Sequence, residues 1–217
     1  MKVKVVAAVG RNGSGKDALI DYLHERCGLE VFVVGDLVRE QARREGLRPT
    51  RENLHAVSGR EMEKHGEGCF TRRLAERLKS ADRPAGVSGL RTPADVEVLR
   101  EEFGAELLVV HVEVSDPALR FERLRRRNEP RDPDTYEEFW EQERSEEEMF
   151  QVSETLRKAD ETVRNDGSLE DFHRNIEEAL RPCSFHRVPV RGRISERAQS
   201  AAAAAAAARK NPRRCSR

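Results

Sequence analysis

Val3 to Asp17 reads VKVVAAVGRNGSGKD, a run of small and β-branched apolar residues that ends in a glycine-rich turn carrying one lysine. Gly10, Gly15 and Lys16 fit the spacing G-x-x-x-x-G-K, and a helix-like pattern (Ala18, Leu19, Ile20, Tyr22, Leu23) follows at once. A buried strand, a loop and a helix N-terminus are what a triphosphate cradle requires. Backbone N–H groups and the positive helix end face the phosphates, and the lysine ammonium reaches the outer ones. Gly10, Arg11, Asn12, Gly13, Ser14, Gly15 and Lys16, with Asp17 behind them, are therefore the expected nucleotide-binding segment. The alternative is a glycine-rich strand-to-helix turn with an incidental lysine. One position departs from the motif. The residue after the lysine is ordinarily Ser or Thr, a Mg²⁺ ligand, and here it is Asp17. A carboxylate also binds this hard cation, directly or through water. Equally, an acid suits the first turn of a helix for its dipole alone.

Outward from this stretch, strands and helices alternate. Leu29 to Val34 reads as a second buried strand, and Gly35-Asp36 opens a helix that carries Arg39. Thr50 is the expected cap of a helix running to about Lys64, and Phe70 to Lys79 is helical again. Ala85 to Gly89 is a short third strand. Thr92-Pro93 caps the next helix, and Glu106 to Val114 (ELLVVHVEV) is the second most convincing strand. Ser115-Asp116-Pro117 begins a helix reaching the basic cluster Arg123 to Arg127. An acidic helix over Thr135 to Phe150 follows, then a short strand at Thr162 and Val163, and a last helix over Ser168 to Leu180. This alternation calls for an α/β fold: a parallel sheet of about five strands covered by helices on both faces, with the ligand at the strands' carboxyl ends.

The 217 residues suit one domain over 1–180. Residues 181–217 carry ten Lys/Arg and one acid, Glu196, with eight consecutive alanines, and are expected to be a disordered tail outside the fold. The remaining residues hold 30 basic and 39 acidic side chains, so a neutral total conceals two unlike parts. Cys27, Cys69, Cys183 and Cys215 are scattered, without zinc or redox spacing, and no run reaches membrane-spanning length. The expectation is a reduced, cytoplasmic protein, a monomer, without membrane contact. Nucleic acid is expected to be touched only non-specifically, through the basic tail.

With the loop in place, Gly35-Asp36-Leu37-Val38-Arg39 resembles the Gly-Asp-x-x-Arg segment of the P-loop nucleoside monophosphate kinases. Residues 3–180 are more closely similar, in element order, to an archaeal group of adenylate-kinase-like and dephospho-CoA-kinase-like proteins. The resemblance implies a three-layer P-loop kinase fold with a small helical lid at about 120–150. It also implies ATP and Mg²⁺, and nucleotides as small-molecule substrates. Arg39 and Asp36 match the family's acceptor-binding positions, and Arg91, in Ser88-Gly89-Leu90-Arg91, matches a second acceptor-binding arginine. Where the family has a carboxylate near the metal, this chain has Ser88. One carboxylate has thus moved across the metal to Asp17 if the two departures are linked. Lid arginines Arg123, Arg127 and Arg131 correspond to those that fold over the donor phosphates, where guanidinium forks stabilise transferring charge. Asn165 and Gly167 fall where such kinases pass the adenine. Glu137 to Glu148 reads as a solvated acidic face pairing with much of the arginine cluster.

Phosphoryl transfer from ATP to a nucleoside monophosphate-like acceptor is the resulting expectation. Dephospho-CoA phosphorylation is the alternative; its hydroxyl acceptor would need a base, with Asp36 nearest. A nucleotide-dependent switch with little turnover is the alternative from another class. A GTPase fits less well, because the chain has no Asn-Lys-x-Asp segment.

Overall fold

The computed structural model describes residues 3–129 and 131–180. The expectations for the tail 181–217 lie outside the described residues. Five strands and nine helices are found among the described residues: β1 (Val5–Val9), α1 (Lys16–Cys27), β2 (Glu30–Val33), α2 (Val34–Arg44), α3 (Arg51–His65), α4 (Cys69–Lys79), β3 (Ala85–Ser88), α5 (Pro93–Phe103), β4 (Leu107–Glu113), α6 (Pro117–Arg127), α7 (Tyr136–Phe150), α8 (Val152–Arg157), β5 (Glu161–Arg164) and α9 (Leu169–Leu180).

All strand pairs are parallel, in the order β2-β3-β1-β4-β5. The most apolar strand, β1, occupies the centre, between Ala85–Ser88 and Leu107–His111. All five of its residues are fully buried, which only a strand covered on both faces requires. Successive side chains point to opposite faces, so Val5, Ala7 and Val9 enter one core and Val6 and Ala8 the other. The first core is closed by α2, α4 and α5 through Leu37, Leu74 and Leu99, and the second by α1 and α9 through Leu19, Phe172 and Ile176. Three layers result.

Local chemistry explains the helix starts. The Thr50 hydroxyl accepts from Asn53 N, and Thr92 and Asp95 form a reciprocal capping box with proline at the first turn. Asp116 and Thr135 cap α6 and α7 in the same way.

Two expectations are corrected, and one element is added. The second strand is at the sheet edge rather than in its interior, and Val31 is 37% exposed. Its helix starts at Val34, one residue before Gly35, so Asp36 lies within the first turn. Helix α8 was not legible as a separate element, because it is short and follows α7 after a single residue, Gln151, in the left-handed region. Among the described residues no helix is long and apolar enough to cross a membrane.

Candidate active site

Parallel strands send their carboxyl ends to one edge, and the candidate residues gather there. From β1 comes the loop Gly10–Gly15, feeding α1 at Lys16. Two of its glycines are required by conformation. Gly13 has φ +77° and a Cβ there would lie 2.6 Å from Arg120 O; Gly15 has φ +98° and a Cβ would collide with Asn165 Nδ2. The loop is clipped from behind: Asn165 Nδ2 donates to Ser14 O at 2.8 Å, and Arg123 Nη2 donates to Asn165 O at 2.8 Å. Asn165 is buried at the end of β5, and its side chain is committed to the loop and to Arg123. Gly167 lies beyond it on the surface, before α9.

Lys16 lines the cavity in front of the loop together with Arg11, Asn12, Asp17, Arg39, Arg51, Arg91, Arg127, Arg131 and Glu146. Burial lowers the pKa of its ammonium, Asp17 and Glu146 oppose that, and Arg91 and Arg127 reinforce it. Asp17 lies in the first turn of α1, where it lines a further cavity with Gly13, Ser88, Arg123 and Arg127. The two departures from the family pattern, Asp17 and Ser88, thus face one space.

The arginines expected in a lid do not pair as the charge pattern suggests. Arg120, on α6, pairs with α7, donating Nη2 to Glu143 at 2.9 Å; among the described residues the hydrogen-bond partners of Arg123, Arg127 and Arg131 lie outside α7. Arg127 is held by Asp132 (Nε to Oδ2, 2.9 Å) and Arg131 by Glu129 (2.8 Å), both inside the lid loop. Arg126 pairs with Glu122 on its own helix. Arg123 and Arg127 both face the cavity shared with Gly13 and Lys16, as their i,i+4 spacing on α6 implies.

Among the residues expected to bind an acceptor, Arg39 Nε donates to Asp36 Oδ1 at 3.1 Å one turn away on α2. Arg91 leaves the end of β3 after Gly89, and its backbone is fixed by Asp95, whose Oδ2 accepts from Arg91 N (3.0 Å) and Thr92 N (2.9 Å). Thr155 on α8 braces the same turn, donating to Arg91 O at 2.7 Å. The Arg91 guanidinium lies over the Phe150 ring, 5.2 Å from the centroid.

Two residues here were not singled out in the sequence. Arg51, at the start of α3, donates Nη1 to Glu146 Oε1 at 2.8 Å, and Arg91 Nη1 donates to the same oxygen at 2.9 Å. Glu146 and Glu143, taken from their helix as solvated, are each only 7% exposed. Burial alone would raise the Glu146 carboxyl, but Arg91 and Arg51 outweigh it and hold it at about 2. The acidic helix misleads because its charge run has one inward face: residues 139, 143, 146 and 150 recur at helical spacing, and all four are buried.

Beside this arginine cluster runs a mainly apolar slot lined by Val38, Leu54, His55, Met62, Phe70 and Phe150, and also by Arg39, Arg51, Arg91 and Arg131. The pKa of His55 is lowered, chiefly by burial and next by Arg91, so its imidazole is neutral at pH 7. Among the described residues, three buried side-chain atoms lack a hydrogen-bond partner: Ser14 Oγ, Arg51 Nε and Arg123 Nη1. Each belongs to the loop or to an arginine of this site. Orphaned polar atoms are rare in folded proteins, and their concentration here fits a site built for a polar ligand. No cluster of three or more His, Cys, Asp or Glu suited to a metal occurs among the described residues.

Known proteins align with this geometry. A family model described as AAA domain matches residues 9–139. A gluconokinase from Sinorhizobium meliloti superposes with a TM-score of 0.55 at 17% identity, covering 84% of this chain and 94% of that one. A shikimate kinase from Bacteroides thetaiotaomicron gives 0.55 at 14%, covering 82% and 97%. The fold is that of the P-loop kinases, as expected from the phosphate loop and the strand alternation. A UPF0200 protein of Hyperthermus butylicus is 35% identical over 177 residues, 81% of this chain and 92% of that one. Another from Pyrococcus horikoshii is 32% identical over 179 residues, covering 81% and 95%. The chain belongs to the UPF0200 family.

Proposed function

We propose that the protein transfers a phosphoryl group from ATP to a nucleoside monophosphate-like acceptor. One observation carries this reading: Arg39, Arg51, Arg91 and Arg131 line both the cavity at the phosphate loop and the apolar slot. A triphosphate on the loop and a phosphate on these arginines would then face each other, with an aromatic-walled slot at hand for a base.

In this reading the loop amides, Lys16 and Arg123 hold the donor phosphates, and the Asn165–Gly167 segment flanks the nucleoside of ATP. Arg127 and Arg131 close over the transferring group. Asp17, with the Ser88 hydroxyl facing the same space, is the oxygen donor set for Mg²⁺. Such a sparse set suits this ion, which keeps waters and takes substrate phosphates as further ligands. Bound there, Mg²⁺ would neutralise charge on the donor phosphates. A phosphate acceptor already carries its nucleophilic oxygen as an anion. The protein's task is then positioning and charge stabilisation, and no base is required. The nearest base for a hydroxyl acceptor, Asp36, is hydrogen-bonded to Arg39, which favours the phosphate acceptor.

The deciding experiment measures ADP release from ATP and Mg²⁺ across nucleoside and deoxynucleoside monophosphates and dephospho-CoA, with Lys16→Ala as control. Lys16-dependent turnover with a monophosphate is expected. Turnover with dephospho-CoA alone would replace the acceptor, and ATP binding unaffected by any acceptor would leave a nucleotide-binding switch.

A further inference from the structure

Glu146 puts a buried negative charge in the midst of the acceptor arginines. A single oxygen, Oε1, accepts from Arg51 Nη1 and Arg91 Nη1 at 2.8 and 2.9 Å. The two donors come from different elements, α3 and the turn after β3, and the acceptor from α7. One oxyanion oxygen bridging two guanidiniums is also how a phosphate oxygen is bound by paired arginines. Both arginines belong to the cavity at the phosphate loop and to the apolar slot, so the bridge stands where the two meet. Arg51 Nε, buried and without a partner, leaves the guanidinium a donor that the carboxylate does not use.

We propose that Glu146 is a placeholder anion: it fills the seat of the acceptor's phosphate in the empty protein and is displaced when that phosphate arrives. The inference rests on the reading of Arg39, Arg51 and Arg91 as the acceptor-phosphate site.

The reason for displacement is electrostatic. A phosphate dianion on Arg51 and Arg91 would meet the carboxylate as a like charge at close range, in surroundings where water screens poorly. Protonation offers no relief, because the arginines hold Glu146 at about 2 and it remains an anion throughout the physiological range. The carboxylate therefore withdraws, and α7 with it loses one of its ties to the rest of the fold. Its ion pairs through Glu143 and Glu147, to Arg11 and Arg120, remain. The exchange also confers selectivity. A terminal phosphate, carrying two charges, recovers more from the arginines than a carboxylate or a neutral group does. Displacing Glu146 thus rewards the dianion and rejects weaker ligands.

The test titrates inorganic phosphate into protein saturated with ADP, so that the phosphate loop is already filled. Failure of ADP to bind would sink the kinase reading, and this inference with it. With ADP bound, Glu146→Gln keeps the shape and the acceptor oxygen but removes the charge. Phosphate should then bind roughly tenfold more tightly than to the wild type, and the gain should vanish in an Arg51→Met background. Unchanged or weaker phosphate binding in Glu146→Gln would overturn the placeholder and leave the kinase reading standing. The wild type gives a second measurement should the variant fold poorly. Adding phosphate to the ADP complex should speed amide exchange in Tyr136–Phe150, whereas protection of that stretch would contradict displacement.

Discussion

The proposed donor and acceptor sides of the site are built on different principles. The phosphate loop is positioned by backbone: it hangs from the central strand, its glycines adopt conformations other residues resist, and Asn165 clips it through Ser14 O. The acceptor side is positioned by side chains. Arg39, Arg51 and Arg91 come from three separate elements, and Glu146 from a fourth holds two of them together. A backbone cradle is stiff whether or not ligand is present. An ion-paired cluster can exchange one partner for another.

The most severe way to break the donor side is Lys16→Ala, expected to cut ATP turnover by about 100-fold or more while the circular dichroism spectrum is retained. Retained turnover would remove the loop from the chemistry. Arg91→Met tests the other side. It should raise the acceptor's KM by roughly tenfold or more with ATP affinity little changed, and equal losses for both substrates would mean that the two sides are one unit.

Stability separates the sides as well. Glu146, held at about 2 against an ordinary 4.5, contributes stability that is complete above pH 4.5 and is lost as the pH falls through about 2. The full shift corresponds to about 3 kcal/mol. Denaturant titrations across that window should show the loss in the wild type and a much flatter profile in Glu146→Gln. On the donor side, Gly15→Ala forces a left-handed residue and a collision with Asn165. It should cost about 1–3 kcal/mol at every pH, since no titrating group is involved. The smallest effect is expected from deleting 181–217: unchanged turnover and unchanged midpoint for both sides. A loss of activity with the fold intact would move the domain boundary.

The same contrast explains what the sequence discloses. The phosphate loop is a local object, six residues between a strand and a helix, and each requirement is written in adjacent letters. Capping signals at Thr50, Thr92, Asp116 and Thr135 are local too, and the helices start there. Arg39 and Arg91 were reachable because each follows a strand within a recognisable segment. Arg51 had no such neighbour. Its meaning comes from Glu146, 95 positions on, and nothing short-range links them. The burial of Glu146 was hidden for another reason: seven glutamates in one helix look like a water-facing surface, although the spacing with Phe139 and Phe150 marks an inner face. Asn165 was expected to touch the nucleotide, and the contact its side chain makes is with the loop itself.

The position of β1 has a consequence for how the protein fails. Because that strand is keyed into both cores, the nucleotide cradle is anchored at the last place to open, whereas the acceptor arginines stand near the edge strand β2 and on helices joined by charge pairs. Under mild heat or salt, discrimination should be surrendered before nucleotide affinity. On the proposed function, the molecule would then pass through a state that still holds its nucleotide but no longer distinguishes what to do with it.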